Sequence, residues 1–173
     1  VVTTAATSQT ACDPGTYQPN TGQISCIDAS AGYYVSTTAA TSQTACDPGT
    51  YQPDEGQDSC EDADLGYYVP AAAATEQTPA SPGYYVDTTA AASQTACSLG
   101  TYQPSTGQTS CIDASAGYYV DTTAATSQTA CPAGTYNPNS GSTTSSACID
   151  ASAGYYVASA GSVEQTAFAL GTY

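Results

Sequence analysis

Apolar and aromatic residues return along this chain in short bursts, such as Gly32-Tyr33-Tyr34-Val35, separated by polar stretches of Thr, Ser, Gln and Ala. Each burst opens on a glycine followed two residues later by a tyrosine, and these glycines stand at 15, 32, 49, 66, 83, 100, 117, 134, 154 and 171. The interval is 17 residues except once, where it is 20 and Ser142-Thr143-Thr144-Ser145-Ser146 supplies the extra length. A fixed period of this size marks an array of stacked units. With each glycine counted as position 1, the bursts read Gly-Tyr-Tyr-Val or Gly-Thr-Tyr-Gln, a β-prone composition that predicts short strands. Pro-Asn-Thr-Gly at 19–22, Pro-Asp-Glu-Gly at 53–56 and Pro-Ser-Thr-Gly at 104–107 predict β-turns, with Pro early and Gly late. The Thr-Thr-Ala-Ala-Thr-Ser segments contain alanine, but their Thr and Ser disfavour a helix interior, so they are read as extended or irregular. Tyrosines recurring at one position are expected to line one face and pack on those of neighbouring units, where aromatic pairs add roughly 0.5–1.5 kcal/mol beyond burial.

Two kinds of unit occur, one running from Gly15-Thr16-Tyr17-Gln18 to Cys26-Ile27-Asp28, the other from Gly32-Tyr33-Tyr34-Val35 to Thr44-Ala45-Cys46. A longer period lies above them: residues 1–85 and 86–173 align as two blocks of five units, Val1 through Cys12 matching Val86 through Cys97. Tyr173 ends at position 3 and Val1 begins at position 4, so tail joined to head continues the register. The ends Val1, Val2, Gly171 and Tyr173 are therefore candidate assembly residues. With neither an initiator Met nor a signal peptide, the chain reads as a mature product or a window of a longer array.

Composition sharpens this picture. Four Ile, three Leu, eight Val and one Phe in 173 residues cannot fill a conventional core, so cross-links must supply stability. The eight cysteines fall at position 15 of one unit and position 12 of the next. Where one is missing its counterpart is missing too: Ala29 with Gln43, Ala63 with Gln77, Ala80 with Gln94, Ala114 with Gln128, Ala151 with Gln165. Cysteines kept or lost as couples predict Cys12–Cys26, Cys46–Cys60, Cys97–Cys111 and Cys131–Cys148. Each closes a loop of about 15 residues, worth roughly 3 kcal/mol. Such a framework implies an oxidising, extracellular or cell-surface setting. The cysteine-free units 66–82 and 154–170 are expected to be looser, as hinges or lateral contacts. The fold expected is all-β and disulfide-rich, an elongated rod of ten units with a tyrosine ladder.

Charge excludes several functions. The net charge is −15 with no Lys, Arg or His, which leaves nothing to neutralise phosphates, so nucleic acid is not an expected partner. No apolar run is long enough for a membrane span. Catalysis lacks a His base, a Schiff-base lysine and a cationic clamp, and the carboxylates follow the repeat, as with Asp28, Asp62, Asp113 and Asp150; no enzyme is expected. Six of fifteen carboxylates crowd into 54–64, giving a candidate Ca²⁺ site at Asp54, Glu55, Asp58 and Asp62, set against the favoured reading of a solvated acidic turn. No cofactor is otherwise implied. There is no Asn-x-Ser/Thr sequon, whereas 48 Thr and Ser, clustered as at Thr37-Thr38 and Thr122-Thr123, allow O-linked glycans.

Cys131-Pro132-Ala133-Gly134-Thr135-Tyr136, closing at Cys148, resembles the extracellular cysteine-rich repeats of the ephrin-receptor-like and tumour-necrosis-factor-receptor-like class. Cys12-Asp13-Pro14-Gly15-Thr16-Tyr17 and Cys46-Asp47-Pro48-Gly49-Thr50-Tyr51 are similar. Those families carry a second cysteine in each motif; here one of each doublet survives, which halves the bridge density. The resemblance implies an elongated extracellular module and no particular activity.

The sequence thus reads as a structural extracellular protein, a protomer or segment of a fibre, stalk or surface appendage that assembles head to tail with itself. The alternatives are an extracellular ligand-binding or adhesin repeat module, and an ice-binding protein with Thr spaced along a flat face. Pro70-Ala71-Ala72 and Ala158-Ser159-Ala160 interrupt such a face.

Overall fold

The computed structural model describes residues 10–169 and Gly171. It is nearly all β, built from two-residue strands joined in antiparallel hairpins. Strand β1 (Thr16–Tyr17) pairs with β2 (Ile27–Asp28), β3 (Tyr33–Tyr34) with β4 (Thr44–Ala45), and β5 (Thr50–Tyr51) with β6 (Glu61–Asp62). The series continues with β7 (Tyr67–Tyr68) on β8 (Thr78–Pro79), β9 (Tyr84–Tyr85) on β10 (Thr95–Ala96), and β11 (Thr101–Tyr102) on β12 (Ile112–Asp113). It closes with β13 (Tyr118–Tyr119) on β14 (Thr129–Ala130), β15 (Thr135–Tyr136) on β16 (Ile149–Asp150), and β17 (Tyr155–Tyr156) on β18 (Thr166–Ala167). The first strand of every hairpin is the burst after the beat glycine. The extra length near 142–146 is taken up outside the ladder, by a 3₁₀ turn at Ser145–Ala147.

The beat glycine has two jobs. In Asp13-Pro14-Gly15-Thr16 the Thr16 amide donates to the Asp13 carbonyl at 3.0 Å and Gly15 has φ +87°, the form of a type II turn with Pro in its second corner. Asp47-Pro48-Gly49-Thr50 repeats it, with Gly49 at φ +93°. The same glycine also touches the hairpin two further on: a Cβ on Gly49 would overlap the Ala90 carbonyl oxygen, and one on Gly100 that of Gly141. No other residue satisfies both demands.

The run between the two strands bends rather than extending. At position 8 the backbone is left-handed whether the residue is glycine, as at Gly56 (φ +71°), or alanine, as at Ala39, Ala73, Ala90 and Ala124 (φ +53° to +56°). The Thr-Thr-Ala-Ala segments are therefore tight turns. Both kinds of unit share one backbone path, and the predicted turns at 19–22, 53–56 and 104–107 fall on the same bend.

Neighbouring hairpins are tied by a recurring set of main-chain bonds. Gly49 donates to Val69 (2.8 Å) and Gln52 to Ala74 (3.0 Å) in the next hairpin, and Ala73 donates back to Cys46 (2.9 Å) two hairpins earlier. Gly100 to Val120, Gln103 to Ala125 and Ala124 to Cys97 repeat these at 2.8, 3.0 and 2.9 Å. Among the described residues the buried apolar side chains occupy positions 4 and 15: Val35, Val69, Val86, Val120 and Val157 in one row, Cys12, Ala29, Cys46, Ala63, Ala80, Cys97, Ala114 and Cys131 in the other. Small residues suffice because two-residue strands leave little space between hairpins.

The expected tyrosine ladder is present, but its rings do not pack on one another as expected. Tyrosines do recur in the strands as a ladder, but among the described residues one close ring pair occurs, Tyr156–Phe168 at 5.1 Å. Elsewhere the strand tyrosines pair across the hairpin with Ala, Thr, Ile or Glu, and most are half-buried. The packed rows are cysteine, alanine and valine.

Clustering of contacts gives two compact units. One takes the chain up to Asp64, then Tyr68–Thr78 and Thr89–Ser93, and contains the first two disulfides. The other takes Leu65–Tyr67, Pro79–Thr88 and the chain from Gln94 onward, and contains the remaining two.

Candidate functional site

The structure brings the cysteines together as Cys12–Cys26, Cys46–Cys60, Cys97–Cys111 and Cys131–Cys148, with Cα separations of 5.5–5.8 Å; no described cysteine is free. At the junctions without cysteine, a glutamine replaces the bridge. Gln43 Oε1 accepts from the Ser30 amide (2.7 Å), Gln77 from Asp64 (2.7 Å), and Gln94 from Ser81 (2.7 Å). Gln128 accepts from Ser115 (2.6 Å) and Gln165 from Ser152 (2.7 Å). Each glutamine stands where the second cysteine would be and reaches the amide just after the alanine that replaces the first. Every junction between described hairpins is therefore stapled, by sulfur or by an amide. Units 66–82 and 154–170 have glutamine staples, Gln77 and Gln165.

A second set of amides lies at position 4, where Gln52, Gln103 and Asn137 are buried in the row otherwise held by valine. Gln52 Nε2 donates to the Ser59 carbonyl (2.9 Å) while its Oε1 accepts from the Asp54 amide (3.1 Å), so the side chain pins the bend of its own hairpin. Gln103 does the same with Ser110 and Ser105. Asn137, one carbon shorter, donates instead to Ser142 Oγ (2.8 Å) and the Tyr118 carbonyl (3.0 Å). No buried side-chain polar atom is left without a partner among the described residues, as the cost of burying an unpaired amide requires. The sequence signal for them is the return of glutamine at position 4 in Gln18, Gln52 and Gln103, and at position 12 wherever cysteine is missing.

The carboxylates are solvent-facing. Asp54, Glu55, Asp58 and Asp62 are exposed, and among the described residues no three or more His, Cys, Asp or Glu side chains form a cation-binding group. Asp58 accepts from Ser59 Oγ (3.1 Å), and Asp62 lies in the ladder opposite Thr50. One consequence of the cluster is local: the Tyr51 phenol is pushed above its ordinary value, first by burial, then by its hydrogen bond to the Glu61 carboxylate and by the charges of Glu61 and Asp64. Glu61 is directly opposite Tyr51 across the hairpin.

The two described ends of the array differ from its middle. Tyr155, Tyr156 and Phe168 are 43, 41 and 59% exposed, more than the equivalent residues inside. Gly154 has open space where a Cβ on Gly66 or Gly83 would meet a backbone carbonyl. At the other end Thr10–Ala11 repeats the sequence of β4, β10 and β14, but is not paired in a strand. Of the candidate assembly residues, Gly171 is exposed, while Val1, Val2 and Tyr173 lie outside the described residues.

No helix among the described residues is long and apolar enough to cross a membrane. No curated protein matches the chain. The family model described as tyrosine-protein kinase ephrin type A/B receptor-like matches residues 3–46 and 83–131, more than half the chain. Those segments hold the Cys-x-x-Gly-Thr-Tyr turns at 12–17 and 97–102 and six of the eight cysteines, and disulfide-bonded modules of this kind are typical of extracellular and cell-surface proteins. By turn, staple and repeat, the chain belongs to the ephrin-receptor-like cysteine-rich family.

Proposed function

We propose that this chain is a structural extracellular module, a protomer or segment of a fibre, stalk or surface appendage that extends end to end with itself. The observation that supports it is the recurrence of the contacts between hairpins: the same main-chain bonds repeat from junction to junction, and the same two positions carry the staple, whether sulfur or amide. Adding units then requires no new kind of interface. A head-to-tail contact whose rotation does not close propagates as a filament. With no Lys, Arg or His, the chain has the chemistry of a scaffold rather than of a catalyst. Thr37, Thr38, Thr88, Thr89, Thr122 and Thr123 are exposed and are the candidate acceptors for O-linked glycans. Sedimentation velocity and electron microscopy of the purified chain over a range of concentrations test the reading. Filaments or a concentration-dependent series of oligomers are expected; dispersed monomers at every concentration would overturn it.

A further inference from the structure

We infer that the bridges inside the array each present one sulfur to exchange, and that Cys111 is a modification site where a small thiol adds as a mixed disulfide. The two cysteines of a bridge are not equivalent. Cys46, Cys97 and Cys131 belong to the buried row at position 15 and are 0% exposed, whereas their partners at position 12, Cys60, Cys111 and Cys148, are half-buried. The asymmetry follows from the hairpin. Position 15 is gripped from both sides: the Cys97 amide donates to the Gly83 carbonyl (2.8 Å), and the Cys97 carbonyl accepts from the Ala124 amide (2.9 Å). Position 12 only leads into the second strand, just ahead of Ile112, which pairs with Tyr102. At the Cys97–Cys111 bridge an open cleft reaches the outer cysteine. Tyr85, Asp87, Ser98, Thr101, Thr109 and Ser110 line it together with Cys111, and Cys97 is not among its walls.

A disulfide exchanges when a thiolate attacks one sulfur and the other leaves. With Cys97 enclosed, the incoming thiolate forms its bond to Cys111 Sγ and the Cys97–Cys111 bond breaks. Cys97 departs with the electron pair and takes a proton from water. The small thiol is the reductant: its sulfur is oxidised into the new disulfide as Cys97 is reduced. Departure places charge on a sulfur inside the apolar row, which slows the step. The main-chain bonds that hold Cys97 do not involve its sulfur, so the freed thiol stays beside Cys111 and returns to expel the small thiol. The cleft also selects by charge. Asp87 lines it, Asp113 follows Cys111 by two residues, and the chain holds no cation. An aminothiol such as cysteamine, whose ammonium balances its thiolate, is favoured over an anionic thiol such as glutathione.

Mapping the adduct tests the assignment. The folded chain is treated with cysteamine, exchange is stopped with acid, and the bridges are read by peptide mass spectrometry. The adduct is expected on Cys111, with Cys97 as the free thiol. Two single variants compare the sulfurs directly. Cys97→Ala leaves Cys111 unpaired and installs the residue that stands at Ala80 and Ala114; Cys111→Gln leaves Cys97 unpaired and installs the residue that stands at Gln94 and Gln128. Iodoacetamide should label Cys111 in the first roughly a hundredfold faster than Cys97 in the second, because Cys97 reacts only through local opening. Circular dichroism checks that both variants keep the fold. The exchange rate with glutathione should rise with salt, while that with cysteamine should not. An adduct on Cys97, equal labelling of the two folded variants, or a bridge that opens only when the whole chain unfolds would overturn the proposal. A glutathione rate indifferent to salt would overturn the charge preference.

Discussion

A left-handed backbone is imposed at two positions in each unit, and only one of them is always glycine. At position 1 the turn and the hairpin two places on both exclude a Cβ, so Gly49→Ala should destabilise by roughly 3 kcal/mol, from the αL cost plus overlap with the Ala90 carbonyl. At position 8 alanine is tolerated, at φ +54° for Ala39, with a residual strain. Ala39→Gly should therefore stabilise by about 0.5–1 kcal/mol, the strain relieved less the entropy glycine adds to the unfolded chain; thermal unfolding of both variants checks the opposite signs. Tyr51 titrates above an ordinary phenol because burial and Glu61 favour its neutral form. Unfolded, the phenol ionises near pH 10, so in the window above that value the unfolded chain holds fewer protons. The contribution is complete below the unfolded value and is lost as pH rises through the folded one. Glu61→Gln should shift the Tyr51 midpoint down, read as the difference in 295 nm absorbance titration between each chain and its Tyr51→Phe counterpart.

At the scale of the hairpin, sulfur and glutamine are alternative solutions to one problem. Two strands of two residues cannot hold a junction by ladder bonds alone, so position 12 must reach back to position 15 or its neighbour. Gln128→Ala, which removes two exposed hydrogen bonds to Ser115, should cost about 1 kcal/mol. Installing Ala29→Cys with Gln43→Cys should create a fifth bridge and raise stability by up to roughly 3 kcal/mol by the loop-entropy estimate. Mass spectrometry would show the new bridge and calorimetry its effect; a scrambled or free pair of thiols at this junction would contradict the equivalence.

Across many hairpins, the stacking rule works in steps of two, because each beat glycine touches the hairpin two further on. Excising residues 100–133 removes two hairpins from within one compact unit and joins Leu99 to Gly134. Cys97 loses Cys111 and Cys148 loses Cys131, but the shortened register brings Cys97 and Cys148 to positions 15 and 12 of one junction. The excised chain should fold with three disulfides, one of them Cys97–Cys148. Peptide mapping with a protease that cuts at acidic residues would find that pair, and two free thiols in a folded chain would refute the two-step rule.

The 17-residue period, the strand sites and the cysteine couples were all legible along the chain, because a repeat forces each residue type to reappear where the same local geometry recurs. The bend at 53–56 was visible in its proline and glycine; the equivalent bend at 36–39 was hidden because alanine occupies the left-handed position there. What tertiary structure alone decided was the meaning of the gaps. Gln43 and its equivalents replace missing bridges, Gln52 and Gln103 enter the core, and tyrosine rings leave the packing to Val, Ala and Cys. Those outcomes depend on how closely one hairpin approaches the next. That distance is set by backbone contacts at glycine, between residues roughly twenty to forty apart in the chain, and local sequence preference has no access to it.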